Sequence, residues 1–207
     1  MARLHLLRHG ETDWNAEGRW QGHSDRPLTP VGVAQATAIA PAVAALQPVA
    51  IHASDLVRAL DTAAPSAELC GLPVIADAAL REIDTGSWTG RRRSEILAAE
   101  PGAVGRHEAG EVAWEGGETF AELQDRVVDA LERIAGDYGS QEAIAVFAHG
   151  GVIRAAVAHA AGGDWRDARR GVAPLSHGSL TVVDVPGWRL ESFNVPLVQA
   201  APAQDTA

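Results

Sequence analysis

The 207-residue chain contains no lysine and a single cysteine, Cys70. Without lysine there can be no Schiff-base catalysis and no Walker-type phosphate lysine, so all seventeen basic side chains are arginines. One cysteine permits no intrachain disulfide and no cysteine cluster with metal-ligand spacing. Near a predicted helix end, Cys70 reads as a small apolar residue. Positive charge is in deficit: the formal net charge is −10. That balance argues against non-specific binding to nucleic acid or an anionic membrane, both of which need a basic surface. An anionic substrate would have to be drawn in by a local cationic pocket. Long hydrophobic runs are also missing, none approaching the roughly eighteen residues of a membrane span. The start, Met1-Ala2-Arg3, leads into an apolar stretch broken by His5, Arg8 and His9, unlike a secretory signal. A cytoplasmic protein is the expectation.

What is present is an ordinary globular composition, 46% hydrophobic and 21% charged, enough for one domain with one core. Arg3 to Leu7 reads as a buried strand that stops at Arg8-His9-Gly10. Pro30 to Leu46 is an Ala-rich helix with Thr29 as N-cap and Pro30 in its first position. Val49 to Ala53 is a strand, and Ser54-Asp55 is expected to begin the helix that carries Arg58. Val74 to Ala76 is a further short strand. From Arg81 to Gly117 the pattern dissolves into Gly, Trp, Arg and Glu, with one helix expected over Ser94 to Glu100; this segment is the expected cap. Glu118 to Tyr138 has helical periodicity. Ala143 to Ala148 is an apolar strand ending in His149-Gly150-Gly151, followed by a helix through Val152-Ile153-Arg154. Ser179 to Val185 and Arg189 to Asn194 pair around Pro186-Gly187, and residues 198–207 read as a frayed tail. Strands alternating with helices imply a three-layer α/β/α sandwich with a mostly parallel sheet, as one domain over 1–197. Strand order is not legible.

Two strands thus deliver histidines at their ends, His9 and His149. A neutral imidazole is a competent nucleophile toward phosphorus, and an adjacent guanidinium can hold phosphoryl oxygens through charge-assisted bonds. Arg8-His9 at a strand end therefore suits phosphoryl transfer, although an isolated Arg-His pair is more often an ordinary surface feature.

The pair is not isolated. Leu6-Leu7-Arg8-His9-Gly10-Glu11-Thr12-Asp13-Trp14-Asn15 is followed by Arg19-Trp20-Gln21-Gly22, Asp25, Leu28-Thr29, the run Ser54 to Ala63 around Arg58, then Glu82, then Ala148-His149-Gly150. In this order the segments closely resemble the histidine phosphatase superfamily, from Leu4 to about Phe193. That group includes cofactor-dependent phosphoglycerate mutases and many small phosphatases. The resemblance implies a phosphoglycerate mutase-like fold, His9 as nucleophile, and Arg8, Arg58 and His149 as a phosphate pocket. It implies Glu82 as general acid, with Asp84 as its rival, and no cofactor. Asn15, Gln21, Gly22 and Gly150 match substrate-binding positions; a helix-end cap is an equal reading of Asn15.

Arg91-Arg92-Arg93 reads either as a solvated run or as recognition of a second anionic group. Trp14, Trp20, Trp88 and Trp114 read as cap packing or as a stacking mouth. The remaining histidines show no His-x-His or His-Glu-x-x-His spacing, so no metal site is expected. Three activities stay open. Hydrolysis of small phosphorylated metabolites is favoured, because the segment after Glu82 is short and Gly-rich where mutases carry a longer insertion. Mutase-type transfer uses the same residues, and a catalytically inactive phosphoester-binding protein is the third reading. Related proteins are often dimers, so a homodimer is an assembly that the resemblance allows.

Overall fold

The computed structural model describes residues 2–109, 111, 114–163 and 175–197. The first strand forms as β1 (Ala2–Arg8). Its Leu4 and Leu6 belong to one apolar cluster and Leu7 to another. Strand β4 (Ala143–Ala148) repeats the pattern, with Ile144, Val146 and Ala148 on one side and Ala145 and Phe147 on the other. Both faces of these strands are covered, which is why they read as continuous apolar runs rather than as polar-apolar alternation.

With β2 (Ala50–Ser54), β3 (Val74–Asp77), β5 (Ser179–Val185) and β6 (Arg189–Pro196), they make one six-stranded sheet in the order β3-β2-β4-β1-β5-β6. Strands β3, β2, β4 and β1 are parallel, β5 runs antiparallel to β1, and β6 antiparallel to β5. Helices α2 (Pro30–Ala45) and α3 (Val57–Cys70) pack on one face; α6 (Phe120–Gly136) and α7 (Gly150–Ala160) pack on the other. This is the expected three-layer α/β/α sandwich. No helix among the described residues is long and apolar enough to cross a membrane.

Local chemistry explains most helix ends. Thr29 accepts a hydrogen bond from the Gly32 amide at 3.1 Å, and Pro30 fills the first helical position, where a missing N–H costs nothing. Thr119 and Glu122 form a reciprocal capping box that opens α6. Phe120, Leu123, Val127, Ala130, Leu131 and Ile134 are buried along α6 at spacings of three and four, the single apolar stripe of a surface helix.

One expectation is corrected. Ser54 and Asp55 do not begin α3: Ser54 pairs with Asp77 as the last residue of β2, and the helix starts at Val57. Its N-cap, Leu56, makes no side-chain capping bond. The carboxylate of Asp25, from a distant loop, accepts from the Val57 amide at 2.7 Å instead. A cap supplied across the fold leaves no local signal. The helix expected over Ser94 to Glu100 forms as α4 (Arg93–Ala99). Helices α1 (Asp13–Ala16) and α5 (Ala103–Glu108) are too short to show periodicity and were not expected. The pair β5 and β6 is the expected hairpin, and the tail at 198–207 lies outside the described residues.

The segment 81–117 packs through aromatic rings. Trp88 and Trp114 are buried against Trp20, His107 and Phe120, with Trp20 and Trp88 centroids 5.3 Å apart. Trp88 and Trp114 thus serve packing, Trp20 packs against them while remaining half-exposed, and Trp14 carries the Arg26 guanidinium 5.0 Å above its ring.

Bare backbone docks α2 onto the loop after β1. A Cβ on Gly32 would stand 2.1 Å from the Glu11 carbonyl oxygen, and one on Gly10 would stand 2.6 Å from that of Gly32. Gly32→Ala is therefore expected to destabilise the fold by about 1–3 kcal/mol, the range for a forced backbone shift in a packed region. A urea denaturation midpoint unchanged from that of the parent would refute this contact.

Candidate active site

The register of β1 against β4 pairs Arg8 with Ala148. His9 and His149 therefore leave two adjacent parallel strands at the same level, with ring centroids 5.1 Å apart. Strand β2, on the other side of β4, leads into α3, whose second residue is Arg58. Its Nε donates to His149 Nδ1 at 3.2 Å. Glu82, beyond β3, reaches the first turn of α7, where its carboxylate accepts from the Gly151 amide at 2.9 Å and from the Ile83 amide at 2.9 Å. Four separate segments thus meet at the carboxyl edge of the parallel strands, the usual ligand position in open α/β sheets.

The proton positions follow from the partners. His9 Nδ1 lies 2.6 Å from the Gly10 carbonyl oxygen. A carbonyl only accepts, so Nδ1 carries the proton and Nε2 keeps its lone pair. Burial, with Arg58, Arg8 and His177 adding to it, holds this imidazole well below the usual histidine range, so the ring is neutral. His149 is the complement. Its Nδ1 accepts from Arg58, which leaves the proton on Nε2, a buried atom without a partner. Burial first, then Arg58, His9 and Arg8, push its pKa well down too. Arg58 is wholly buried, and desolvation takes its guanidinium down to about 10 against the attraction of Glu82 and Asp25. Part of that guanidinium is occupied in holding a loop, donating to Ser24 O at 2.7 Å and Gly22 O at 2.9 Å. Arg8 donates from one end to the Leu175 carbonyl, while its buried Nε has no partner.

Two unsatisfied buried donors, Arg8 Nε and His149 Nε2, therefore lie around one imidazole with a free lone pair. Buried donors without partners are rare in folded proteins. A tetrahedral anion with several acceptor oxygens is the kind of partner such donors take.

A cavity of about 280 Å³ opens here, with His9, Arg8, Arg58 and Glu82 in its wall. Asn15, Gln21 and Gly22 line it as well. His149 and Gly150 do not: His149 is wholly buried, and a Cβ on Gly150 would stand 3.8 Å from Glu82 Oε2 and 3.9 Å from Arg8 Nε. The cap reading of Asn15 is the one the structure shows, on a residue that also lines the cavity. Its Oδ1 accepts from the Thr12 amide at 3.1 Å in the capping box of α1, which leaves the NH2 as the donor on a residue lining the cavity. In the arginine run, Arg91 pairs with Glu100 and Arg92 with Glu17, and Arg93 lines the cavity together with Arg19 and Trp20. Asp84 accepts from the Gly86 amide at 3.0 Å and does not line the cavity. Among the described residues no three His, Cys, Asp or Glu side chains gather as a metal site.

Several residues that the sequence reading left aside hold this arrangement from outside. His23 Nε2 donates to the Glu82 carbonyl at 2.8 Å, and His177 Nδ1 to the His9 carbonyl at 2.9 Å. Thr62 Oγ1 accepts from the Gly10 amide at 2.9 Å. These partners lie 52 to 168 residues apart in sequence, so no spacing could have revealed them.

The buried neutral histidines set an acid limit on the fold. His9 and His149 have pKa values below that of an unfolded histidine, about 6.5, and burial brings His177 down to about 4. As pH falls below about 6.5 the unfolded chain binds protons that the folded chain refuses, so stability is lost, at about 1.4 kcal/mol per pH unit for each fully titrating histidine. For His177 the loss runs from about 6.5 to about 4. The urea midpoint is expected to fall steeply between pH 7 and pH 5, and a flat profile would show that these rings protonate within the fold.

A family profile described as the histidine phosphatase superfamily (branch 1) matches residues 4–196. A glucosyl-3-phosphoglycerate phosphatase of Mycolicibacterium vanbaalenii is 39% identical over 163 residues, 75% of this chain and 72% of that one. A metal-independent phosphoserine phosphatase of Arabidopsis thaliana is 43% identical over 155 residues, 72% of this chain and 65% of that one. Among solved structures, a mycobacterial glucosyl-3-phosphoglycerate phosphatase complexed with VO3 superposes with a TM-score of 0.86 at 33% identity, covering 93% of this chain and 98% of that one.

Proposed function

The chain belongs to the histidine phosphatase superfamily, and from that premise we propose that it hydrolyses small phosphomonoesters through a covalent phosphohistidine on His9. The observation that carries the reading is the 2.6 Å approach of His9 Nδ1 to the Gly10 carbonyl, which puts the proton on Nδ1 and leaves the Nε2 lone pair for a phosphorus atom.

The chemistry balances without a redox partner. Nε2 attacks phosphorus as the P–O ester bond breaks, and Glu82 delivers a proton to the leaving oxygen, which would otherwise depart as a poor alkoxide. Arg8, Arg58, His149 and the Asn15 amide take up the charge on the three equatorial oxygens. Water then attacks the phosphohistidine, Glu82 recovers a proton from it, and the P–N bond breaks to release phosphate and restore the lone pair. Gln21 and Gly22 belong to the mouth of the site, and Gly150 leaves open the space beside Glu82 and Arg8 that a side chain would enter.

We favour substrates that carry a second anionic group near the ester. Arg93 and Arg19 line the cavity beyond the two arginines at His9, Arg19 with Glu17 and Glu95 as ion-pair partners. The relatives are named for phosphoserine and for a glycosylated phosphoglycerate, each of which contains a carboxylate. Hydrolysis is favoured over mutase-type transfer because the segment after Glu82 is short.

Rapid quenching of the enzyme with a 32P-labelled phosphomonoester is expected to trap label that survives alkali and is released by acid, together with free phosphate. No trapped label, or label moved between hydroxyls with no phosphate released, would overturn the proposal. Across a substrate panel, kcat/KM is expected to fall for esters lacking a carboxylate, and Arg93→Ala to narrow that difference; an equal loss on every ester would remove the carboxylate from the reading.

The acid has its own steric test. A Cβ on Gly151 would stand 2.1 Å from Glu82 Oε1. Gly151→Ala is therefore expected to displace the carboxylate and lower kcat by about 10²-fold, the scale of a 1 Å misplacement. Unchanged kcat would show that Glu82 works from another position.

A further inference from the structure

We propose that His177 is a positioning residue for the nucleophile, gripping the His9 carbonyl so that the peptide carrying the attacking imidazole cannot rotate. The inference deepens the reading of His9 above and rests on it.

The argument begins with how His9 is aimed. Its ring is oriented by a bond from Nδ1 to the carbonyl of the next residue, Gly10. That bond directs the ring only if the backbone around it is immobile, and Gly10 is the residue least able to resist rotation. Immobility has to come from elsewhere. Three successive peptide units are each tied down. In the unit joining Arg8 and His9, the carbonyl accepts from the Gly178 amide at 3.0 Å and the N–H donates to Ala148 O at 3.0 Å. In the unit joining His9 and Gly10, the N–H donates to Thr62 Oγ1 at 2.9 Å and the carbonyl accepts from His177 Nδ1 at 2.9 Å. In the unit joining Gly10 and Glu11, the N–H donates to Gln35 Oε1 at 2.8 Å. The middle unit is the one whose rotation would swing both the ring and its anchor, and His177 holds its oxygen.

The topology explains why a residue so late in the chain performs this task. Strand β5 is antiparallel to β1, so the residues just before β5 lie at the carboxyl end of β1. Residues 175–178 contact the Arg8-His9 dipeptide three times: Arg8 donates to Leu175 O, His177 donates to His9 O, and Gly178 N donates to Arg8 O. The short segment is itself anchored, because the Ser176 amide donates to Asn194 Oδ1 at 2.9 Å. The His177 ring also lies against that of His9, centroids 5.6 Å apart. Its low pKa keeps it neutral and so adds no positive charge beside the nucleophile.

The test compares two variants that lose the donor, His177→Phe and His177→Leu, with His177→Asn, whose amide can donate from nearly the same place. The donor-less variants are expected to lose about 10- to 100-fold in kcat and in the single-turnover rate of His9 phosphorylation. KM and the inhibition constant of inorganic phosphate should stay within about threefold, because the anion donors are untouched. His177→Asn should recover most of kcat. In the unsubstituted enzyme, ring 15N shifts should show His177 neutral with its proton on Nδ1. The proposal fails if donor-less variants phosphorylate at the parent rate, if Asn is as poor as Phe, if KM rises in proportion to the loss of kcat, or if the proton sits on Nε2. Failure here leaves phosphohistidine formation in the parent enzyme intact, whereas failure of the parent to form phosphohistidine would remove the reading on which this one rests.

Discussion

Replacement of His9 by alanine is expected to lower kcat by at least about 10⁴-fold, the scale on which removal of a covalent nucleophile acts. The loss should be confined to the chemical step. Arg8 Nε and His149 Nε2 keep their positions and their need for an acceptor, so inorganic phosphate or vanadate should still bind within a fewfold of the parent affinity. Folding should survive, because the ring makes its one hydrogen bond to the adjacent Gly10 carbonyl and Ala at this position leaves the backbone ties of residue 9 in place. The measurement is a paired one, turnover of a phosphomonoester beside calorimetric binding of phosphate. Retention of turnover within 100-fold of the parent would mean that the nucleophile is another group, and loss of phosphate binding would mean that the anion site depends on the ring itself.

Glu82→Gln is the second large effect, and its size should depend on the leaving group. An alkyl ester needs a proton on its departing oxygen, so kcat for such substrates is expected to fall by about 10²–10⁴-fold. An activated aryl phosphate departs without help, so phosphorylation of His9 should remain fast. The second half-reaction still lacks its base. Phosphohistidine should then accumulate, and the aryl alcohol should appear as a burst of one equivalent followed by a slow phase. The amide can still accept from Gly151 and Ile83 through its oxygen, which keeps the geometry close to the parent. Equal losses on alkyl and aryl esters, with no burst, would assign the proton transfer elsewhere.

The pocket was legible in the sequence where chemistry and chain direction coincide. Arg8-His9 and His149 each follow an apolar strand, and a strand end is a local property that composition announces. Glu82 and Arg58 were found through their flanking motifs, and the structure brings both to the same cavity. The sequence also left Asn15 between a cap and a ligand; the structure shows the oxygen of its amide in the cap, on a residue that lines the cavity. What was misplaced was the start of α3. Asp25 supplies its cap from across the fold, so the residues just before the helix carry no capping signal of their own. The supports were not legible at all, since His23, Thr62 and His177 are bonded to main-chain atoms, and any residue type can offer a main-chain atom.

By itself the amino-acid sequence determined the elements that depend on neighbours along the chain: apolar strands, the Thr29 cap, the stripe along α6, and the imidazoles and guanidiniums that suit phosphoryl transfer. Those are decided by residue type and short spacing, which no folding can alter. Tertiary structure alone decided the strand order, the register that sets Arg8 beside Ala148, and the tautomer of His149. A tautomer is chosen by whichever acceptor or donor stands opposite each ring nitrogen, and apart from the neighbouring Gly10 those partners arrive from strands and helices that meet only when the sheet has formed.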